Sequence, residues 1–256
     1  MTLRLTPIIE GNEDGETLVF VHGWPDSAAL WDDAVAALRG RYRCVRVTMP
    51  NFDGRRTKRE GHGTPEIVEA LVAMIRECAF GRPVTLVLHD WGSYWGHAAH
   101  HRAPELVRRV ATLDVAPHFS PGPLAIAGIV AYQSWLFAAF ALNGVVGDAM
   151  TQAAAKVLRV PRPSRELTSW MNYPYRNVWV DLFSGRSKQL TAGYWPTCPL
   201  LFVYGTKKPF MFHSPAWVAH VRKTGGEVVA LETGHWVTRD PAFVDHLRRF
   251  LARAEA

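Results

Sequence analysis

Cysteine is scarce, with three residues, Cys44, Cys78 and Cys198, in a chain of 256. Their number is odd and none forms a CxxC pair, which argues against a disulfide framework and leaves reduced thiols, as expected of a cytoplasmic protein. The opening stretch MTLRLTPIIEGNEDGE lacks the apolar core of a secretory signal. No HExxH pair is present; His97, His100 and His101 share helical spacing but are assigned to packing or surface roles, and no metal or cofactor is expected. Charge is missing altogether between Pro117 and Gly147. That run is broken by His118, Gln133, Ser134, Asn143 and several prolines and glycines, and Leu124 to Leu142 is borderline for the ~20 apolar residues a membrane helix needs. An apolar cover over a pocket is expected there, and no membrane span. Internal repeats and low-complexity tracts are also lacking.

Cations outnumber anions, for a net charge of +6, yet they are dispersed. The densest cluster, Arg55, Arg56, Lys58 and Arg59, sits in the turn-rich stretch NFDGRRTKREGHG and reads as a solvated loop, so no nucleic-acid partner is expected. With 48% hydrophobic and 20% charged residues the chain has the balance of an ordinary globular protein. Its length suits one α/β unit with an insertion.

The first half alternates strand and helix signals. Strands are expected at Thr17–His22, Tyr42–Thr48, Val84–Leu88 and Leu106–Asp114. Helices are expected at Ala28–Leu38, at Pro65–Cys78 with Thr64 as N-cap, and from Asp90 to about His101. This spacing predicts a mostly parallel, doubly wound sheet. From residue 117 to about 191 the periodicity turns helical and aromatic. Strand and helix then resume with Leu200–Tyr204, Trp217–Val221, Val228–Leu231 and a terminal helix Val244–Ala254. The expected organisation is a core from residues 1–116 and 192–256, with a helical lid from 117–191 closing over the carboxyl ends of the strands.

In VTLVLHDWGSYWG, Val84 to Gly96, an apolar strand stops at a sharp turn and passes into a helix. Such a turn lifts one side chain into a cleft, and here the side chain is Asp90 where a serine hydrolase would carry serine. A carboxylate is ionised at neutral pH without help, so it can attack an sp³ carbon and form an ester on itself. Ser93 lies three residues past the tip of the turn, which argues against a serine esterase.

HGWPDS (His22–Ser27), HDWGS (His89–Ser93), LDVAP (Leu113–Pro117), NYPYRN (Asn172–Asn177) and TGHW (Thr233–Trp236) occur in an order that resembles the α/β-hydrolase fold, in its branch of epoxide hydrolases and haloalkane dehalogenases, and epoxide hydrolases most closely. The resemblance implies that Asp90 is the nucleophile and that His235 activates water to hydrolyse the ester. It also implies that backbone N–H groups of Trp24, before a commonly cis Pro25, and of Trp91 stabilise the oxyanion. Many relatives carry the acid behind the histidine in a Gly-x-x-Asp turn, but this turn reads Gly205-Thr206-Lys207-Lys208. Other relatives carry it after the strand that follows the nucleophile, where Asp114 stands; Asp240 and Asp245 are weaker alternatives.

An opening epoxide needs a proton, which related hydrolases give from two lid tyrosines. Tyr175 in PYRN matches one. Tyr132 is chosen for the other, with one alignment placing Leu136 there and Tyr173 also open. A dehalogenase would instead bind halide with the indole N–H of Trp91 and of Trp135, Trp170 or Trp179. Against it, one group of dehalogenases has Asn at the position of Trp24, and no arginine follows Asp90 between Trp91 and His101, unlike fluoroacetate dehalogenases. A non-catalytic small-molecule binder is the third reading. The expectation is a cofactor-independent hydrolase that converts an apolar epoxide, with water, to a vicinal diol; a homodimer stays open.

Overall fold

The computed structural model describes residues 2–185 and 193–253. Every residue of β2 (Thr17–Val21) and β4 (Val84–His89) is buried, as befits near-continuous apolar runs in strands covered on both faces. β3 (Arg43–Val47), β5 (Val107–Leu113), β6 (Leu200–Gly205) and β7 (Glu227–Leu231) join them in one sheet of order β1-β3-β2-β4-β5-β6-β7. All pairings are parallel except that of β1 (Pro7–Gly11), which runs antiparallel along β3. The sequence gives no strand signal for β1. PIIEG does not alternate, and as an edge strand it leaves Ile8 and Ile9 about half exposed.

Alternation within the buried strands decides which helices they meet. Leu18 and Phe20 of β2 pack with α1 (Asp32–Leu38) and the terminal helix α8 (Pro241–Arg253). Val19 and Val21 face the opposite cluster, which holds α2 (Thr64–Ala79) and residues of α3 (Trp91–Arg102) and α7 (Pro215–Lys223). The N-cap of α2 is Gly63 rather than the expected Thr64; the Thr64 hydroxyl instead donates to Asp181 Oδ2 at 2.8 Å, since a partner from outside the helix is within reach.

Between β5 and β6 lies a helical insertion of α4 (Pro123–Leu142), α5 (Gly144–Val157) and α6 (Tyr173–Phe183). Leu136, Met171, Tyr173 and Tyr175 from this insertion belong to the same apolar cluster as α2, so the insertion is packed into the core rather than tethered to it. Much of α4 nevertheless faces solvent, including Leu124, Ile126, Val130 and Leu142, and it is the one helix among the described residues long and apolar enough to cross a membrane. The expected end of the insertion at 191 and of the terminal helix at Ala254 lie outside the described residues. Where the chain returns to the core, the Tyr194 hydroxyl bonds both His97 Nδ1 at 3.0 Å and His100 Nδ1 at 2.7 Å. His97 and His100 thus clamp the segment that leads into β6, and the described residues hold no metal-ligand group.

Candidate active site

β4 delivers Asp90 to the carboxyl edge of the sheet, and α3 starts one residue later. To make that turn Asp90 takes φ 53° and ψ −123°, a conformation that costs an L-residue on the order of 1–3 kcal/mol and persists only when its surroundings enforce it. Here they do so by close packing. A Cβ on Gly23 would stand 2.3 Å from Asp90 Oδ2 and 2.5 Å from the Trp91 nitrogen, so only glycine lets the two turns meet.

Gly23 opens the turn that carries Trp24, joined to Pro25 by a cis peptide. The Trp24 N–H donates to Asp90 Oδ2 at 2.7 Å, and the Trp91 N–H also hydrogen-bonds the carboxylate. The carboxylate therefore meets two backbone donors, the kind of group an oxyanion needs. The other, Oδ1, faces His235 Nε2 at 3.6 Å. Burial raises the Asp90 pKa, opposed by the charge of His235 and by the two N–H donors.

His235 follows β7 in the Thr233-Gly234-His235 turn. Its Nδ1 donates to Asp114 Oδ2 at 2.6 Å. Burial pulls the imidazole down, but the hydrogen bond and charge of Asp114, with the charge of Asp90, outweigh it and hold the ring above its ordinary pKa. Asp114 directly follows β5 in a left-handed conformation, φ 66°. Its Oδ1 accepts from the Gly205 N–H at 3.0 Å and from the Lys208 ammonium. Burial would raise this carboxyl, yet the donors of His235 and Lys208 hold it down at about 2. Sequence reasoning registers Lys208 only as the absence of an acid; its role as partner of the relocated one appears in three dimensions. Asp240 caps a turn through the Ala242 N–H and Asp245 pairs with Arg248, so neither is the histidine's partner.

Three neighbours complete the polar environment. His89, beneath His235, donates Nε2–H to the His235 carbonyl at 3.1 Å, and burial keeps it neutral with a pKa of about 3. His22 bonds the Gly23 carbonyl and the Met49 N–H and is held to about 4 by burial. Asp26 accepts from the Trp236 indole at 2.9 Å, and burial pushes it up to about 6.

Two cavities open on Asp90. The larger, about 860 Å³, is lined by Trp24, Asp90, Tyr132, Tyr175, Lys208 and His235 among others. The smaller, about 330 Å³, shares Asp90, Tyr132 and Phe212 and is largely apolar. Tyr175 lies edge-on to Trp24, Trp91 and Tyr132, with ring centroids 5.5, 5.4 and 5.9 Å away, and its side chain is hydrogen-bonded to that of Trp91. Burial, with the nearby charge of Asp90, raises both tyrosine pKa values, so both phenols are protonated donors.

The other candidates fall elsewhere. Leu136 is wholly buried in the apolar cluster, and Tyr173 packs on Phe52 and His62; neither lines a cavity with Asp90. Trp135 donates its indole N–H to the Met150 carbonyl, and Trp170 and Trp179 also lie outside both cavities. Ser93 is fully buried. Two further contacts carry roles that the motifs leave unassigned. Asn172, which opens NYPYRN, accepts through Oδ1 from the Trp24 indole at 2.8 Å. Arg162 of the insertion donates to the carbonyls of Pro25, Asp26 and Phe52 at 2.9, 3.0 and 3.0 Å, latching the insertion onto the turn that carries Trp24.

A sequence profile described as the alpha/beta hydrolase family matches residues 18–246. Among curated proteins, "Probable oxidoreductase EphD" of Mycobacterium tuberculosis is 38% identical over 117 residues, covering 43% of this chain and 19% of that protein. The chain thus spans less than a fifth of that relative's length. Among solved structures, epoxide hydrolase CorEH superposes with a TM-score of 0.76 at 18% identity, covering 98% of this chain and 95% of that one. Haloalkane dehalogenase DbeA from Bradyrhizobium elkani USDA94 gives 0.73 at 20% identity, covering 100% and 97%. At these identities the two structures share the fold.

Proposed function

As the chain belongs to the alpha/beta hydrolase family, we propose that it is an epoxide hydrolase that converts an apolar epoxide to a vicinal diol through an ester on Asp90. In this reading Oδ1, the oxygen facing His235, attacks an epoxide carbon while Oδ2 keeps the Trp24 N–H and the Trp91 N–H stays on the carboxylate. The ring oxygen leaves as an alkoxide and takes a proton from Tyr175 or Tyr132. His235, oriented by Asp114, then takes a proton from water, whose oxygen adds to the Asp90 carbonyl carbon. The developing charge falls on Oδ2 in its cradle, and collapse releases the diol with Oδ1 attached. The helical insertion acts as the lid that shapes an apolar site. A cytoplasmic setting belongs to the same reading, supported by three free cysteines.

The observation that carries the epoxide reading over the halide one is the pair of phenols. Tyr132 and Tyr175 line the cavity that holds Asp90 and His235, whereas the three lid tryptophans that could give a second halide donor lie outside it. Paired turnover of an aryl epoxide and a haloalkane, followed as diol and as halide, tests the ranking. Diol is expected; halide without diol would reverse the two readings, and neither product would favour a non-catalytic binder. A single turnover in heavy-oxygen water should place the label in Asp90 and not in the diol. Label in the first diol would exclude the ester.

A further inference from the structure

We propose that Lys208 is a positioning residue of this site. Its ammonium offsets the charge of Asp114 so that His235 can lose its proton and act as base in the ester-hydrolysis step. The inference rests on the ester mechanism above for its catalytic meaning, but the geometry stands by itself. Asp114 divides its two oxygens: Oδ2 takes His235 Nδ1 at 2.6 Å, and Oδ1 takes the Gly205 N–H at 3.0 Å together with Lys208 Nζ. The side chains of Lys208 and Asp114 are 6% and 0% exposed. An ammonium withdrawn from water this far is costly unless it meets a counter-charge. A lysine with only a surface role would extend its flexible stem to solvent.

The charges around His235 make the case. Asp114 reaches it from the end of β5 and Asp90 from the elbow after β4. His89 of β4 lies against it with the rings tilted by 43° and 4.7 Å between centroids, and is kept neutral by burial. Asp26, from the turn after β2, has its pKa raised by burial to about 6, so near pH 7 it is a further carboxylate whose charge reaches His235. His213, beside Lys208 and Asp114, is pulled down chiefly by burial. Lys208 is therefore a cation set against these carboxylates through its bond to Asp114. Without it the anions around the imidazole would hold its proton more tightly, and an imidazolium cannot take a proton from water.

The offset matters most after the first step. Alkylation removes the charge of Asp90, so the nearest partner of His235 is then the Asp114–Lys208 pair, whose charges sum to zero. In that state the neutral ring takes the proton from the attacking water. The bond between the Asp90 carbonyl carbon and the substrate oxygen breaks, and that oxygen carries the returned proton away. The relocated acid and the lysine in its former place are, on this account, one device.

The test is an NMR titration of the His235 ring in the full-length protein, which needs no substrate. It compares wild type with Lys208→Met, which removes charge and donors, Lys208→Gln, which keeps a neutral donor, and Lys208→Arg, which keeps the charge. Met and Gln should raise the His235 midpoint by about one pH unit, a tenfold gain in proton affinity, and Arg should leave it near wild type. A Gln variant that titrates like wild type would overturn the proposal, since a neutral hydrogen bond would then suffice. Thermal unfolding identifies a Met variant that has lost its fold, and the Gln and Arg variants then decide. With an aryl epoxide, trapped ester should accumulate in the Met and Gln variants near pH 7 and clear as pH rises. If wild type forms no ester but the midpoints shift as stated, the ester mechanism fails and the lysine's effect on His235 stands.

Discussion

The core wall and the insertion wall of the active-site cavity are built on different principles. On the core side Asp90, Asp114 and His235 are each held by named hydrogen bonds, and the glycine turns beneath them leave no spare volume. On the insertion side Tyr132 and Tyr175 sit among edge-on ring contacts with a side-chain hydrogen bond each, to Gln133 and Trp91, and the outer surface of α4 is apolar and exposed. Hydrogen bonds fix direction, whereas apolar packing fills volume with little directional preference. On the proposed mechanism the core wall sets which bond is made, and the insertion wall sets which molecule is admitted. Arg162 ties the two together through three backbone carbonyls.

This contrast can be broken by substitution. Asp90→Ala should cost at least about four orders of magnitude in diol formation, as loss of a covalent nucleophile does; activity within a hundredfold of wild type would remove the core wall's claim on the chemistry. Tyr175→Phe, on the insertion wall, should lower kcat by roughly 10²–10⁴, the usual contribution of one acid catalyst, and by less if Tyr132 can substitute. Equal losses for Asp90→Ala and Tyr175→Phe would erase the division of labour.

Two smaller effects sharpen the picture. The folded state holds the Asp26 carboxyl at about 6, above its ordinary 3.8, so the native protein binds more protons than the unfolded chain between those values. Its stabilising share is therefore complete below the unfolded pKa and is lost as pH rises through about 6. Asp26→Asn, which keeps an acceptor for Trp236, should raise Tm by a few degrees at pH 7.5 and leave it unchanged near pH 4. A gain at both pH values would mean that packing, not charge, is responsible. Least of all, Leu124→Ser on the exposed face of α4 should change unfolding free energy by no more than about 0.5 kcal/mol, whereas Leu136→Ala one face away should cost about 2–5 kcal/mol. Denaturant titration separates them.

The sequence was most legible where one residue type answers one demand. β2 and β4 announce themselves as unbroken apolar runs because both faces are covered, and the strand–turn–helix at Asp90 marks itself by the abrupt change at His89. β1 was invisible because an edge strand gains its order from pairing with β3 and needs no pattern of its own. In the insertion, composition pointed to helices but could not orient them. Tyr132 and Leu136 stand four residues apart on α4, and only packing against α6 decides that the first meets the cavity and the second the core. Lys208 shows a further limit: its side chain acts on a residue 94 positions away in sequence, and no local signal encodes that reach. Arg162 is illegible for the same reason.

The tight turns beneath the catalytic groups carry a lesson for anyone who would evolve this protein in the laboratory. A Cβ at Gly23 would strike the Asp90 carboxylate, and one at Gly205 would stand 2.0 Å from the Gly234 carbonyl beside His235. Random libraries aimed at the floor of the cavity will therefore return mostly dead clones, whatever selectivity is sought. Variation directed at α4 and α6 explores new substrates while inheriting the reaction intact.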